Sequence, residues 1–375
     1  MSRDAIGRSK YELDTPALVL DSPVLKKNVA LMQAHAGSCG KALRPHAKTH
    51  KCSRIARVQI EAGAVGVCAA KVSEAAALVD GGIGAVLVTS PVVTPRKIGR
   101  LLDCLERAPE LMTVLDDAAN ACALDAAARR RGLRLGVLVD LDPGLGRTGV
   151  SFDRVLALAR AVHACDGLRL RGIQCYAGHL QHVPKFEERS QRSLACMQAA
   201  ARCVAQLREA GLPCEIFSGA GTGTYDIDTR IPEVTELQVG SYALMDAEYV
   251  RIGSAAAADR FTAFQPALTL LTAVISANQA THVTVDAGLK ALYHHGDTPF
   301  VVYPPELAGV TYDWFGDEHG KIVVGESAAC PALGTVLELV VSHCDPTINL
   351  FEELFVVRDG TVVDVWPIDL RGRSQ

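Results

Sequence analysis

The feature that most constrains this chain is a rhythm. Through its first two-thirds, short runs rich in Val, Ile and Leu alternate with longer Ala-, Leu- and Arg-rich segments of helical spacing. Short, unbroken apolar runs are the pattern of strands buried on both faces. Eight strand candidates occur, at 41–46, 65–69, 85–89, 112–115, 135–141, 170–176, 214–218 and 236–244. Segments 52–63, 72–80, 95–107, 116–131, 153–165 and 185–210 carry the helical spacing between them. Eight strand–helix units predict an α/β fold, a (β/α)8 TIM-like barrel; an open doubly wound sheet is the alternative.

The rhythm stops near Arg251, and SAAAADRFTAFQP reads as a linker. Strand-like segments follow at 267–276, 282–286, 335–341, 354–358 and 362–366, with Asp359-Gly360 as a hairpin signal. The expected organisation is a barrel over 22–252, with a mostly β domain formed by 1–21 plus 253–375. The early strand TPALVLD is expected to pair with that β domain. At 375 residues, 49% hydrophobic and 21% charged, the chain can bury a large core. Its charge sum of 38 − 42 = −4 argues against nucleic acid or an anionic membrane as partner. No run is apolar and long enough to span a bilayer, and the N-terminus lacks the apolar core of a secretory signal. The 12 Cys form no CxxC pair and several lie in apolar runs, so they read as reduced thiols of a cytoplasmic protein.

Five segments could carry chemistry. LRPHAKTHK places Arg44, His46, Lys48, His50 and Lys51 together as the chain leaves the first barrel strand, at the end where barrel active sites lie. On an extended chain Arg44, His46, Lys48 and His50 share a face. A lysine among other cations is depressed in pKa and can form a Schiff base; a surface basic patch is the bland reading. VDLDPGLGRTG ends a strand in Asp140 and Asp142 and presents Arg147 on a glycine-rich turn, ready to meet an anionic oxygen. GIQCYAGHLQH ends a strand at Tyr176, with His179 and His182 in the loop. SGAGTGTY follows an apolar strand; its backbone N–H groups could bind phosphate, or it is simply a turn. VVSHCDPTINL carries His343 and Asp345, which on a strand would face the same way and form half a metal site, with Asp317, Glu318 and His319 available behind them.

Together, DTPALVLD, RPHAKTHK, KVSEA, GRTG, SGAGTGTY, ELQVGSYALMD, VDAGLKA, DEHG and SHCDPT resemble the D-threonine aldolase and D-serine dehydratase family, which is similar in fold to alanine racemase. The resemblance runs from about residue 14 to residue 372. It implies an enzyme using pyridoxal 5′-phosphate (PLP), with Lys48 carrying the cofactor, Arg147 at its phenolic oxygen and Tyr176 against its ring. Gly221, Thr222, Gly240 and Ser241 would bind the phosphate. Gln238 stands where alanine racemase has an arginine facing the ring nitrogen; a neutral partner is expected to leave that nitrogen unprotonated and the electron sink weak, so a metal would have to help.

His343 and Asp345 would be the metal ligands. A carboxylate where the dehydratases resemble a His-x-Cys pattern favours Mn²⁺ or Mg²⁺ and the aldolase branch. The expected reaction is cleavage of D-β-hydroxy-α-amino acids to glycine and an aldehyde, with His182 or a metal-bound water as base. The alternatives are a β-hydroxyaspartate aldolase, whose second carboxylate could meet His179, His294 or His295; a D-serine or hydroxyaspartate dehydratase; and, outside enzymes, a PLP carrier. Related two-domain barrels pair, so a homodimer is expected.

Overall fold

The computed structural model describes residues 2–324 and 330–375. The chain opens with β1 (Ala17–Asp21) and α1 (Ser22–Ser38). Eight parallel strands follow: β2 (Ala42–Leu43), β3 (Val67–Ala69), β4 (Val86–Val88), β5 (Met112–Leu115), β6 (Leu135–Leu141), β7 (Leu168–Cys175), β8 (Ile216–Gly219) and β9 (Glu236–Leu237). They pair in the order β2-β9-β8-β7-β6-β5-β4-β3. One parallel bridge, His46 to Cys68, joins the two ends into a nearly closed barrel. Beside the β2–β9 pair, Arg44 forms a buried two-pronged ion pair with Glu236 at 2.8–2.9 Å. The interior holds an apolar layer of Cys68, Leu87, Met112, Val114, Leu138 and Ile216.

Helices α2 (Ser53–Glu61), α3 (Val72–Asp80), α4 (Pro95–Arg107), α5 (Ala118–Arg130), α6 (Val155–His163) and α7 (Phe186–Glu209) connect the strands. Local signals set their starts. Thr94 caps α4 by accepting from Lys97 N–H just before Pro95, and Asp117 caps α5 by accepting from Ala119 and Asn120 N–H.

After the short helices α8 (Tyr225–Asp228) and α9 (Ala247–Val250), the chain turns to β structure: β10 (Leu268–Ser276), β11 (His282–Val285), β12 (Phe300–Tyr303), β13 (Tyr312–Trp314), β14 (Gly320–Val323), β15 (Val336–Val340), β16 (Glu353–Arg358) and β17 (Thr361–Pro367), with α10 (Cys344–Ile348) between β15 and β16. With β1 these eight make a nine-stranded sheet in which β1 pairs antiparallel with β10 and parallel with β16. Its core packs Ala17 and Val19 of β1 against Leu271, Val357, Val362 and Val365.

Two compact units result. One comprises 1–29, 49–52 and 241–371; the other comprises 30–48, 53–240 and 372–375. Residues 241–252 thus group with the β sheet, because Asp246 caps α9 and binds the backbone of Cys344. None of the 12 cysteines forms a disulfide. Among the described residues no helix is long and apolar enough to cross a membrane.

Candidate active site: a cationic barrel cavity and a carboxylate-ringed histidine

At the C-terminal ends of the barrel strands lies a cavity of about 510 Å³, lined by His46, Lys48, Ala70, Lys71, Thr89, Ser90, Leu145, Arg147, Gln174, Tyr176, Gly178, His179 and Gln238. Five of these side chains are cationic or can become so, and none is a carboxylate. Such a pocket suits a ligand that brings its own negative charge.

The segment carrying Lys48 is not extended as the sequence suggested. Strand β2 ends at Leu43, and Ala47–Thr49 is a turn of 3-10 helix, so the alternation of faces fails. Arg44 turns to Glu236, while His46 and Lys48 reach the cavity. The His46 imidazole is held by Thr89 Oγ1 at 3.0 Å and its Nδ1 accepts from Lys48 N–H. His50 is buried in the other unit and accepts from Cys52 N–H.

Arg147 stands on a loop that Asp142 folds by accepting N–H bonds from Gly144 and Gly146. Its guanidinium is 6.0 Å from the Tyr176 ring centroid. That ring is wedged by glycines: a side chain at Gly178 or Gly221 would meet it at 3.0 and 3.1 Å.

The loop after β8 carries Gly221 and Thr222. It is fixed from behind by Gln181, which accepts from Gly223 N–H and donates to Thr224, and by fully buried Arg189, which donates to the Gly223 carbonyl at 2.7 Å. Gly240 follows β9, whose extension accepts His46 N–H at Val239. Ser241 begins a 3-10 turn in the β unit. His182 is exposed and is not one of the cavity-lining residues; His179 is. Partial desolvation, helped by Arg192, lowers the His179 pKa.

Sequence reading named Asp140 and Gln238 but missed Gln174, which joins them in the polar floor of the barrel. Gln174 donates to Asp140 Oδ1 at 2.8 Å and to the Thr89 carbonyl at 3.2 Å, while its Oε1 accepts from Gln238. Burial lifts Asp140 to about 6, against the bonds it accepts from Gln174 and Thr148. A buried glutamine inside an apolar strand was the available signal.

In the β unit, His343 is not on a strand. β15 ends at Val340, and His343 is the residue before α10, where Pro346 fits the first turn. The same-face argument for His343 and Asp345 therefore does not apply. His343 Nδ1 lies 3.0 Å from Asp246 Oδ2 and 3.6 Å from Glu248 Oε2. With a carboxylate as partner the Nδ1 nitrogen carries the hydrogen, which leaves Nε2 for a metal. Asp246 is fully buried and also accepts from Tyr249 and Cys344 N–H. Burial pulls His343 down, but Asp246, Asp345 and Glu248 lift it to about 9; burial raises Glu248 to about 7. His295 sits beside Glu248 at 3.6 Å, whereas His294 packs edge-on to Trp314.

Asp317, Glu318 and His319, expected behind the pair, are exposed, and Glu318 pairs with Lys290. Asp246 and Glu248 take that place. Among the described residues no three His, Cys, Asp or Glu converge as a ready-made metal cage. The protein offers His343 nitrogen and Asp345 oxygen, with surplus carboxylate charge around them. The buried Cys344 thiol donates instead to the Met245 carbonyl. This donor set fits a hard divalent cation held by few protein ligands.

A nearly closed parallel barrel with a lysine in a carboxylate-free cavity, joined to a sheet unit built around its own first strand, defines an alanine racemase-like protein. The alanine racemase N-terminal domain family matches residues 20–248, and the serine dehydratase domain family matches 267–357. The chain is 42% identical over 98% of its length to the D-threonine aldolase of Arthrobacter sp., covering 96% of that protein. It is 38% identical over 98% to the 3-hydroxy-D-aspartate aldolase of Paracoccus denitrificans, covering 95% of it. The crystal structure of D-threonine aldolase from Filomicrobium marinum superposes with a TM-score of 0.93 at 38% identity, covering 99% of this chain and 98% of that one. The chain belongs to the D-threonine aldolase and D-serine dehydratase family.

Proposed function

We propose that this protein is an aldehyde-lyase that cleaves D-β-hydroxy-α-amino acids of the D-threonine type to glycine and an aldehyde, using PLP and a divalent metal, Mn²⁺ or Mg²⁺. The observation that carries the reading is Lys48 in a cavity with five basic side chains and no carboxylate. When bound, PLP supplies an electron-withdrawing ring for the carbon that loses the aldehyde, and the metal acidifies the β-hydroxyl.

The protein's own part follows from its side chains. Lys48 holds the cofactor through its amine. Arg147 meets the phenolic oxygen, and Tyr176, wedged by Gly178 and Gly221, supports the ring face. Gly221, Thr222, Gly240 and Ser241 offer backbone N–H and hydroxyl donors to the phosphate. His343 and Asp345 hold the metal, with the His343 ring oriented by Asp246. His182 takes the β-hydroxyl proton at an imidazole nitrogen; His179, already in the cavity lining, is the competing base, and single alanine variants separate the two. Free cysteines support a reducing, cytoplasmic setting, and the assembly proposed is a homodimer.

A second reading has its own support. Lys71 and His179 line the cavity and could receive a second carboxylate, as 3-hydroxy-D-aspartate carries. Purified protein with PLP and Mn²⁺, with and without EDTA, is offered D-threonine, D-3-hydroxyaspartate and D-serine. Glycine plus aldehyde, abolished by EDTA, is the expected result, and the preferred substrate names the branch. Keto acid plus ammonia would replace the aldolase reading with a dehydratase.

A further inference from the structure

Inside the barrel a chain of hydrogen bonds decides which atom of Gln238 is available to a ligand. Asp140 accepts on both oxygens, from Gln174 Nε2 at 2.8 Å and from Thr148 Oγ1 at 2.8 Å. Gln174 Nε2 also donates to the Thr89 carbonyl at 3.2 Å. A carboxylate and a backbone carbonyl can only accept, so Gln174 must turn its NH₂ toward them and its Oε1 away. That Oε1 accepts from Gln238 Nε2 at 2.9 Å. A flipped Gln238 would set two carbonyl oxygens against each other. The second N–H of Gln238 is directed to Ser218 Oγ at 3.0 Å. Both donors of the Gln238 amide are therefore committed within the barrel. Gln238 lines the cavity, and the polar atom it has left is Oε1, an acceptor.

We propose that Asp140 and Gln174 are positioning residues that lock the Gln238 amide with its carbonyl oxygen toward the cavity, so that the ring nitrogen of the cofactor must carry a proton to meet it. The proposal rests on the PLP reading above and on the place that the family resemblance gives Gln238, opposite that nitrogen. It reverses the expectation that glutamine, as a neutral partner, leaves the ring nitrogen bare. A bare nitrogen would place its lone pair against a carbonyl lone pair in a site only 4% exposed at Gln238. A protonated one donates into it. The electron sink is then strong, and the chain supplies this with an amide that two further residues hold in one orientation.

The test uses holoenzyme loaded with PLP labelled with ¹⁵N at the ring nitrogen. Wild type is expected to give the resonance of a protonated ring. Gln174→Met removes the lock and Gln238→Met removes the acceptor; both are expected to move the resonance to that of a bare ring while Lys48 still holds the chromophore. In Gln174→Met, kcat is expected to fall roughly tenfold or more with KM changed less than about twofold. A bare ring nitrogen in wild type overturns the proposal while leaving the PLP reading intact. So does a protonated ring that neither methionine variant alters. Failure of the protein to bind PLP, or a PLP chromophore retained unchanged in Lys48→Ala, would instead strike the reading underneath and the proposal with it.

Discussion

The barrel cavity and the surroundings of His343 are opposites in charge. Around Lys48 the lining side chains are His46, Lys71, Arg147 and His179, without a carboxylate. Around His343 stand Asp246, Glu248 and Asp345. Neither arrangement is favourable alone, since like charges held together cost free energy unless something neutralises them. Each would suit a visitor of the opposite sign, and the proposed function places an anionic cofactor in one and a divalent cation in the other. The contrast lets the two functions be broken separately.

The largest effect expected is from Lys48→Ala. Loss of the amine should abolish both turnover and the cofactor's protein-bound absorbance. Borohydride reduction followed by peptide mass analysis should place the cofactor on Lys48 in wild type and nowhere in the variant. Labelling at Lys71 instead would move the attachment point within the same cavity.

Next comes His343→Ala. Turnover should fall by about a hundredfold or more, and added Mn²⁺ should no longer restore activity after EDTA. The Lys48-bound absorbance should persist. Asp246→Asn should act in the same direction but more mildly, weakening metal binding by about 10- to 100-fold in calorimetry. If His343→Ala also emptied the cavity of PLP, the separation drawn between the two regions would be wrong.

How far the sequence revealed these two regions differs too. In the barrel, the order of eight strands was legible, and α3 and α4 began and ended where the helical spacing put them. The strands β2 and β9 proved to be two residues each, against expected spans of 41–46 and 236–244. In the second span a buried 3-10 turn, Ser241–Ala243, continues the apolar run beyond the strand, and composition does not distinguish the two. In the β unit, β12, β13 and β14 were not foreseen, because runs such as Tyr312–Trp314 are too short to show alternation. Lys48, Arg147, Tyr176 and Gln238 do share one cavity. Gln174 and Asp246 escaped notice because a single polar residue in an apolar run carries no periodic signal. Their importance lies in partners 64 and 97 positions away in the chain.

The barrel's own buried carboxylates give a third way to sharpen the comparison. Burial lifts Asp228 from 3.8 to about 6, although Ser193 and Thr224 donate to it. The folded state therefore holds that proton more tightly than the unfolded chain does. Its contribution is fully present below the unfolded pKa and is lost as pH rises through about 6, so stability should fall from pH 4 to pH 7 by up to about 3 kcal/mol from this group. Asp228→Asn should flatten that slope: destabilised at pH 4 by the loss of one accepted hydrogen bond, near neutral at pH 7. Denaturant midpoints of both proteins across this range check it, and parallel curves would remove Asp228 as the cause.

The smallest expected effects test whether the loop after β8 is held as rigidly as its hydrogen bonds imply. A methyl group at Gly223 would strike the backbone carbonyl of Gln181, which cannot swing away because Gly223 N–H donates to the same residue's side chain at 3.0 Å. On the far side, buried Arg189 grips the Gly223 carbonyl. Gly223→Ala should cost about 1–3 kcal/mol and weaken PLP binding together, because the strain must be relieved by moving the loop proposed to bind phosphate. Gly37 provides the contrast. It lies inside α1 with nothing within 4 Å of the added methyl, so Gly37→Ala should stabilise the protein by roughly 0.5–1 kcal/mol through the unfolded chain's lost freedom. PLP affinity should be unchanged there. Equal and opposite stability shifts with PLP affinity untouched in both would show that the loop yields without disturbing its ligand, and would take Gly221 and Thr222 out of the phosphate site.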